Sequence, residues 1–517
     1  MYDILIKNGT VFDGKGGAGK KQDIAIKKGK ISDISQNIEA NAVVIIDAKN
    51  QFIAPGFIDI QNHSDSYWTI FDQPSQESLL SQGITTIVFG NCGSSLAPLP
   101  SLDAIESIQK WHDLSGININ WKTFEELLGV LKSLHCGVNV GSLIGHATLR
   151  RGLIGDRVGP VSSDEQKILK NLLSEGLRQG ALGMSLGLVY AHETNASMKE
   201  LIEIGSELKS ENKLLSVHLR SEGKHIIDAL DEAIEIGMSV GSKIKISHLK
   251  IRGKENWHLI EQVLNKIESA YHQGLNISFD VYPYSSSWSV LYTYLPKWAY
   301  EGGRNAILAK LANKLERRKI LDYLKDQHHD YKQIVVSYSS TKSDFEKRSI
   351  FEIAQAQEVS CEEALMNVIS SSKAEIVVFD HNLSSDHILA FVSSPLSMIS
   401  TDGAGYDRRS GHLIHPRCFG TMSRFLRMVR ENKLLTWEQA IKKITYEPAN
   451  SINLKDRGAL QVNFAADVVV FDPIAIKDES DYHNPMKKST GITAVIVNGK
   501  VAFGDNDIVN LNGQVIT

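Results

Sequence analysis

The pattern of apolar and polar positions changes character twice along the chain. Residues 1–55 alternate apolar and polar, as in DILIKNGTVFDG and DIAIKKGKISDI, with turns expected at Asn8-Gly9 and Lys28-Gly29. Alternation with a period of two, punctuated by such dipeptides, predicts antiparallel hairpins. Residues 455–517 return to the same style in ADVVVFDP and ITAVIVNGKVAFG. Both ends of the chain are therefore expected to build one small β-sandwich domain. In between, over residues 56–454, short apolar runs recur, each followed by a helical pattern. They are FIDIQNH (57–63), TTIVFGNC (85–92), VNVGSLIGH (138–146), LGMSLGL (182–188), LLSVHLR (214–220), KIKISHLK (243–250), NISFDVYP (276–283) and PLSMISTDG (395–403). Strands buried on both faces read as near-continuous apolar runs, so eight of them alternating with helices predict an α/β fold, a (β/α)8 TIM-like barrel.

The seventh and eighth runs stand too far apart for one loop and one helix. Residues from about 285 to 350 contain the aromatic stretch SSSWSVLYTYLPKW, a Gly-Gly pair and the charged helical stretch LERRKILDYLKD. They are expected to form a lid inserted between strands 7 and 8. Ser360-Cys361-Glu362-Glu363 and Thr436-Trp437-Glu438-Gln439 are capping-box patterns and mark two helix starts.

Composition narrows the function classes. Apolar residues make up 42% and charged residues 22%, the proportions of an ordinary folded domain and not of a disordered chain. Net charge is −4, from 56 basic and 60 acidic residues; without a basic run this argues against a nucleic-acid partner and for a small-molecule one. No basic-then-apolar leader and no long apolar span is visible, so neither export nor a membrane is expected. The four cysteines, Cys92, Cys136, Cys361 and Cys418, are widely spaced without a CxxC, which points to a reducing cytoplasm. Oligomeric state is not legible.

In barrels of this kind the chemistry sits at the C-terminal strand ends. Here those ends carry His63, Cys92, His146, Tyr190, His218, His248, Tyr282 and Asp402. His218 and His248 lie one strand-helix repeat apart, so their imidazoles belong to neighbouring strands and aim at one place. Cys92, in a GNCG turn, can bring a thiolate to it, and two nitrogens with one sulfur is a set that zinc accepts. Singly, each residue also has an ordinary structural reading; their joint position at strand ends is what favours chemistry.

PGFID, GITTIVFGNCGSSLAPL, GHATLR, GALGMSLGLVY, SVHLRSE, ISHLK, DVYPY, STDG, HPRCFGT and ADVVVFDP occur in this order over nearly the whole chain. The sequence thereby resembles the N-acyl-D-amino-acid deacylases (D-aminoacylases) of the metal-dependent amidohydrolase superfamily. The resemblance implies hydrolysis of N-acyl-D-amino acids, with Cys92, His218 and His248 holding one zinc tightly and Asp402 as the catalytic carboxylate. It further implies that Lys250, Tyr282, Ser287 and Arg417 hold the substrate's α-carboxylate, with Tyr190 near the scissile carbonyl. Tyr284, Ser285 and Ser286 are adjacent alternatives for the tyrosine and serine. Gln61 departs from the pattern, standing where the family has the first histidine of an HxH, while His63 keeps the second. A second metal position would then lack a donor, and strand four offers no lysine to bridge two metals. The neighbourhood of Leu295 carries no arginine, which favours apolar D-residues. His146 is open to a structural or a substrate role, and Cys136, Cys361 and Cys418 are read as packing residues. Two alternatives stand beside this reading: another amidohydrolase activity, such as D-terminal dipeptide or cyclic amide cleavage, and a metal-poor, non-catalytic relative.

Overall fold

The structure, a computed structural model, describes residues 1–105, 114, 116–407 and 413–517. Its centre is a ring of parallel strands. The first barrel strand, Phe57–Asp59, pairs with Ile84–Phe89, and that strand pairs with Asn139–Ser142. Past Leu143 the third strand resumes as Ile144–Gly145 beside Gly183–Gly187. Leu214–His218, Lys243–Ile246, Ile277–Val281 and Ser397–Ile399 follow in order, each parallel to the one before. A parallel bridge between Asn62 and Gly403, with His63 N–H donating to Gly403 C=O at 2.7 Å, returns the eighth strand to the first. The eight apolar runs are thus the eight staves, buried almost without interruption as their composition requires.

A polar clasp reinforces that closure. Asp59, fully buried, accepts from Thr401 N–H at 2.9 Å, Thr401 Oγ1 at 2.5 Å and Asn62 Nδ2 at 2.9 Å. It fixes the eighth strand immediately before Asp402.

The terminal segments share one nine-stranded sheet. Phe52–Pro55 from the N-terminal half pairs antiparallel with Val468–Phe471 from the C-terminal half. The sheet is mixed, because Tyr2–Val11 also runs parallel to Ala42–Asp47 and Phe52–Pro55. Lys28 and Gly29 form the expected hairpin turn between Lys20–Lys27 and Lys30–Ser35, with φ of 51° and 78°. Asn8 and Gly9 do not form a turn: they make a bulge within Tyr2–Val11, where Asn8 has φ 66° and donates N–H to Asp23 Oδ1 at 2.9 Å. Asparagine tolerates the left-handed region, so the same dipeptide that closes a hairpin also serves a bulge.

After the seventh strand the chain forms Ser287–Val290, several helices, Ile334–Ser339 and Ile376–Asp380, the last being the middle strand of a three-stranded antiparallel sheet. The inserted unit therefore continues to Asp380, past residue 350. It has its own apolar core, including Leu291, Leu295, Ile320, Leu324 and Ile353. Among the described residues no helix is long and apolar enough to cross a membrane.

Candidate active site

Strand ends bring the chemical residues together. Cys92 follows the second strand, His218 closes the fifth, His248 follows the sixth and Asp402 the eighth. One ligand atom from each of Cys92, His218 and His248 lies within 4.8 Å of the others, and all three residues are buried. Cys92 Sγ is 3.4 Å from His248 Nε2, and the two imidazole rings meet edge to face with centroids 4.4 Å apart. One soft sulfur and two imidazoles, with no fourth ligand in the cluster among the described residues, is a set that fits a catalytic zinc. His63 Nε2 borders it, 3.8 Å from Cys92 Sγ and 3.1 Å from Asp402 Oδ1.

The backbone is strained at three of these positions. Cys92, His248 and Asp402 have φ of 54°, 37° and 46°, the left-handed region that costs a non-glycine residue on the order of 1–3 kcal/mol. Such outliers persist where surrounding structure imposes them, and here all three aim a reactive side chain at one pocket.

Electrostatics separates Cys92 from the other cysteines. Burial would raise its thiol, but His248, His218 and His63 draw it well below the usual thiol range. Cys136 and Cys418, buried without such neighbours, are pushed up to about 12. Only a thiolate binds metal, so Cys92 is the competent sulfur. Asp402 is likewise opposed by burial, yet Arg417, His248 and His63 hold its carboxyl well below the ordinary range. Arg417 Nη1 lies 2.9 Å from Asp402 Oδ2, and its guanidinium sits over Tyr282 at 4.5 Å and Trp288 at 5.6 Å.

All ten singled-out site residues line one pocket: His63, Cys92, Tyr190, His218 and His248, with Lys250, Tyr282, Ser287, Asp402 and Arg417. Tyr190 packs its ring on His218 at 4.9 Å. Among the alternatives, Tyr284 lies apart, its hydroxyl donating to Pro416 C=O at 3.4 Å. Leu295 is buried in the inserted unit's core and is absent from the pocket wall, which that unit supplies through Ser287, Trp288, Ser289 and Thr293. His146 is elsewhere: fully buried, it bridges Glu193 at 2.8 Å and Glu200 at 3.2 Å, a structural placement.

Two charged pocket residues, Glu222 and Arg252, were not anticipated. Glu222 pairs with Lys250 and lies 3.2 Å from His248 Nδ1. Burial raises its carboxyl, but the Lys250 ammonium and both imidazoles outweigh this and lower it. Its signal was the HLRSE stretch, four residues beyond His218. Arg252 faces the pocket with Nη2 donating to Tyr294 Oη at 2.9 Å and 3.5 Å from Asp380 Oδ2; its partners come from the insertion, so no local pattern marks it.

Known proteins are similar to this chain over nearly its whole length. The Amidohydrolase family profile matches residues 44–233 and 401–503. An N-acyl-D-aspartate deacylase of Alcaligenes xylosoxydans xylosoxydans is 30% identical over 99% of this chain and 95% of its own length. An N-acyl-D-glutamate deacylase of the same organism is 31% identical over 97% of this chain and 93% of its own. Among solved structures, an N-acyl-D-glutamate deacylase of Bordetella bronchiseptica, complexed with zinc and a phosphonate mimic of the tetrahedral intermediate, superposes with TM-score 0.85 at 28% identity, covering 100% of this chain and 99% of that one. A D-aminoacylase described as having a binuclear metal centre with one-metal activation and second-metal attenuation gives TM-score 0.84 at 27% identity, covering 100% and 99%.

Proposed function

The chain belongs to the amidohydrolase family and, within it, to the N-acyl-D-amino-acid deacylases; from that premise we propose a hydrolase with one tightly held zinc that releases a carboxylate and a free D-amino acid. The observation that carries this reading is the convergence of Cys92, His218 and His248 beside an ionised Asp402 in one pocket. Cys92, His218 and His248 would hold a zinc, which would supply Lewis acidity toward the amide carbonyl and toward a water. Asp402 accepts the attacking water's proton as the new C–O bond forms, and returns it to the amide nitrogen as the C–N bond breaks. Arg417, against Asp402, and Lys250, against Glu222, receive the substrate's α-carboxylate by sharing those charges, with Tyr282 and Ser287 beside them. Tyr190, set edge-on against His218, flanks the carbonyl.

For the side chain we infer a preference for apolar D-residues such as leucine, methionine or phenylalanine. Val189, Tyr190 and Trp288 offer apolar wall, and Arg252 is already faced by Asp380 and Tyr294. A second reading, acidic D-residues, has Arg252 itself in its favour. Comparing N-acetyl-D-leucine, N-acetyl-D-methionine, N-acetyl-D-glutamate and their L forms on the zinc-loaded enzyme tests both points. Faster cleavage of the apolar D-compounds is expected; preference for D-glutamate would transfer the specificity to Arg252, and preference for L-compounds would overturn the deacylase reading.

A further inference from the structure

Below Cys92 the barrel interior carries an unusual polar chain. Gln61 is fully buried, with its side-chain Nε2 3.2 Å from Cys92 Sγ and its Oε1 2.5 Å from Lys245 Nζ. Lys245, which points inward from the sixth strand, is paired with Asp280 Oδ1 at 2.6 Å, and both side chains are 0% exposed. The second oxygen of Asp280 accepts from Ser400 Oγ at 2.5 Å.

The direction of the amide follows from chemistry. An ammonium has three donors and no acceptor, so Gln61 must turn its oxygen to Lys245, and its NH2 then faces the sulfur. That group presents hydrogens to the space beside Cys92 and His63, while the lone pairs able to ligate a cation point away. Lys245 adds a full positive charge one amide further on. A buried ammonium is unfavourable unless paired, and Asp280 supplies that pairing, so the arrangement is self-contained.

We propose that Gln61 with the Lys245–Asp280 pair is a built-in substitute for a second metal ion: Lys245 acts as a positioning residue that turns the Gln61 amide toward Cys92 and closes the neighbouring cation position. This rests on the zinc-hydrolase reading of the same pocket and goes beyond it, assigning the one-metal state to specific interior side chains and not merely to a missing histidine.

The test measures metal per chain on the full-length protein equilibrated over a wide range of buffered free zinc, together with the visible spectrum of the cobalt(II)-substituted protein. Wild type should plateau at about one metal per chain and give a single cobalt spectrum throughout the titration. Gln61→Glu, nearly isosteric, places a carboxylate oxygen where the NH2 was. Lys245→Met combined with Asp280→Asn releases the amide without stranding a buried charge. Each should raise affinity for a second ion by about tenfold or more, the scale on which residues behind metal ligands act, and add a second cobalt signal while circular dichroism stays unchanged. A purely structural role for Lys245 would not move stoichiometry or the cobalt spectrum. Wild type taking up two metals overturns the proposal alone, whether or not the variants fold; folded variants that stay at one metal do the same. Wild type taking up none overturns both the proposal and the zinc-hydrolase reading beneath it.

Discussion

At the residue scale, function rests on charge states fixed by neighbours. Asp402 is buried yet ionised because Arg417, His248 and His63 surround it, which makes it a proton acceptor at neutral pH. Asp402→Asn removes that capacity while keeping volume, and kcat should fall by about 10²–10⁴ with zinc content unchanged by elemental analysis; wild-type turnover would remove Asp402 from the mechanism. The sequence made the metal-site candidates legible because cysteine and histidine side chains recur at the strand ends, where a barrel of this kind places its chemistry. Glu222 and Arg252 were hidden for a geometric reason. Their roles depend on partners brought by other segments, Lys250 and His248 for the first, Tyr294 and Asp380 for the second. Lys245 was hidden because a lysine is rarely buried without a partner, and its partners Gln61 and Asp280 lie on other strands.

At the element scale, local signals translated well where they were short-range. Ser360 Oγ accepts from Glu363 N–H at 3.2 Å and Glu363 Oε2 accepts from Ser360 N–H at 3.3 Å, opening the helix Cys361–Ser371. Ser360→Ala should cost about 1 kcal/mol of stability in chemical denaturation and leave kcat/KM unchanged, since the helix lies in the insertion away from the pocket. His146 opens the helix His146–Ile154 and holds Glu193 and Glu200. Burial lowers its basicity, but the two carboxylates outweigh this and raise it from 6.5 to about 9. A raised folded pKa gives stability that is fully present below pH 6.5 and is lost as pH rises through about 9. Thermal melts should therefore show wild type losing on the order of 1–3 kcal/mol over that window, and His146→Gln should be less stable at pH 6 with a flatter profile. An unchanged profile in the variant would assign the pH dependence to other groups. The Asn8-Gly9 bulge marks the limit of local signals, because bulge and turn need the same backbone and only strand pairing chooses between them.

At the scale of the whole molecule, ring closure positions Asp402. Asp59 on the first stave grips Thr401 on the last, one residue before Asp402. Asp59→Ala would strand the Thr401 N–H and hydroxyl and the Asn62 amide, at about 1–3 kcal/mol for each group left unsatisfied. Loss of stability and of zinc together is expected from denaturation and metal analysis of one sample; zinc retention at reduced stability would limit Asp59 to a purely structural clasp. The terminal sheet is tied to the barrel by a second buried cluster. Asn139, which begins the third stave, donates to Asp467 Oδ2 at 2.8 Å and accepts from Asn498 Nδ2 at 2.7 Å. By itself the sequence determined the number and order of the staves, the pairing of the chain's two ends, and which sulfur and nitrogen side chains gather at the strand ends. Those follow from burial periodicity and residue chemistry, which are properties of short stretches. Tertiary structure alone decided which cations are already matched by carboxylates, that Leu295 faces a core and not the pocket, and that Gln61 turns hydrogens toward Cys92. Each of these depends on the direction of a side chain relative to a partner remote in sequence, and only the closed barrel fixes that direction.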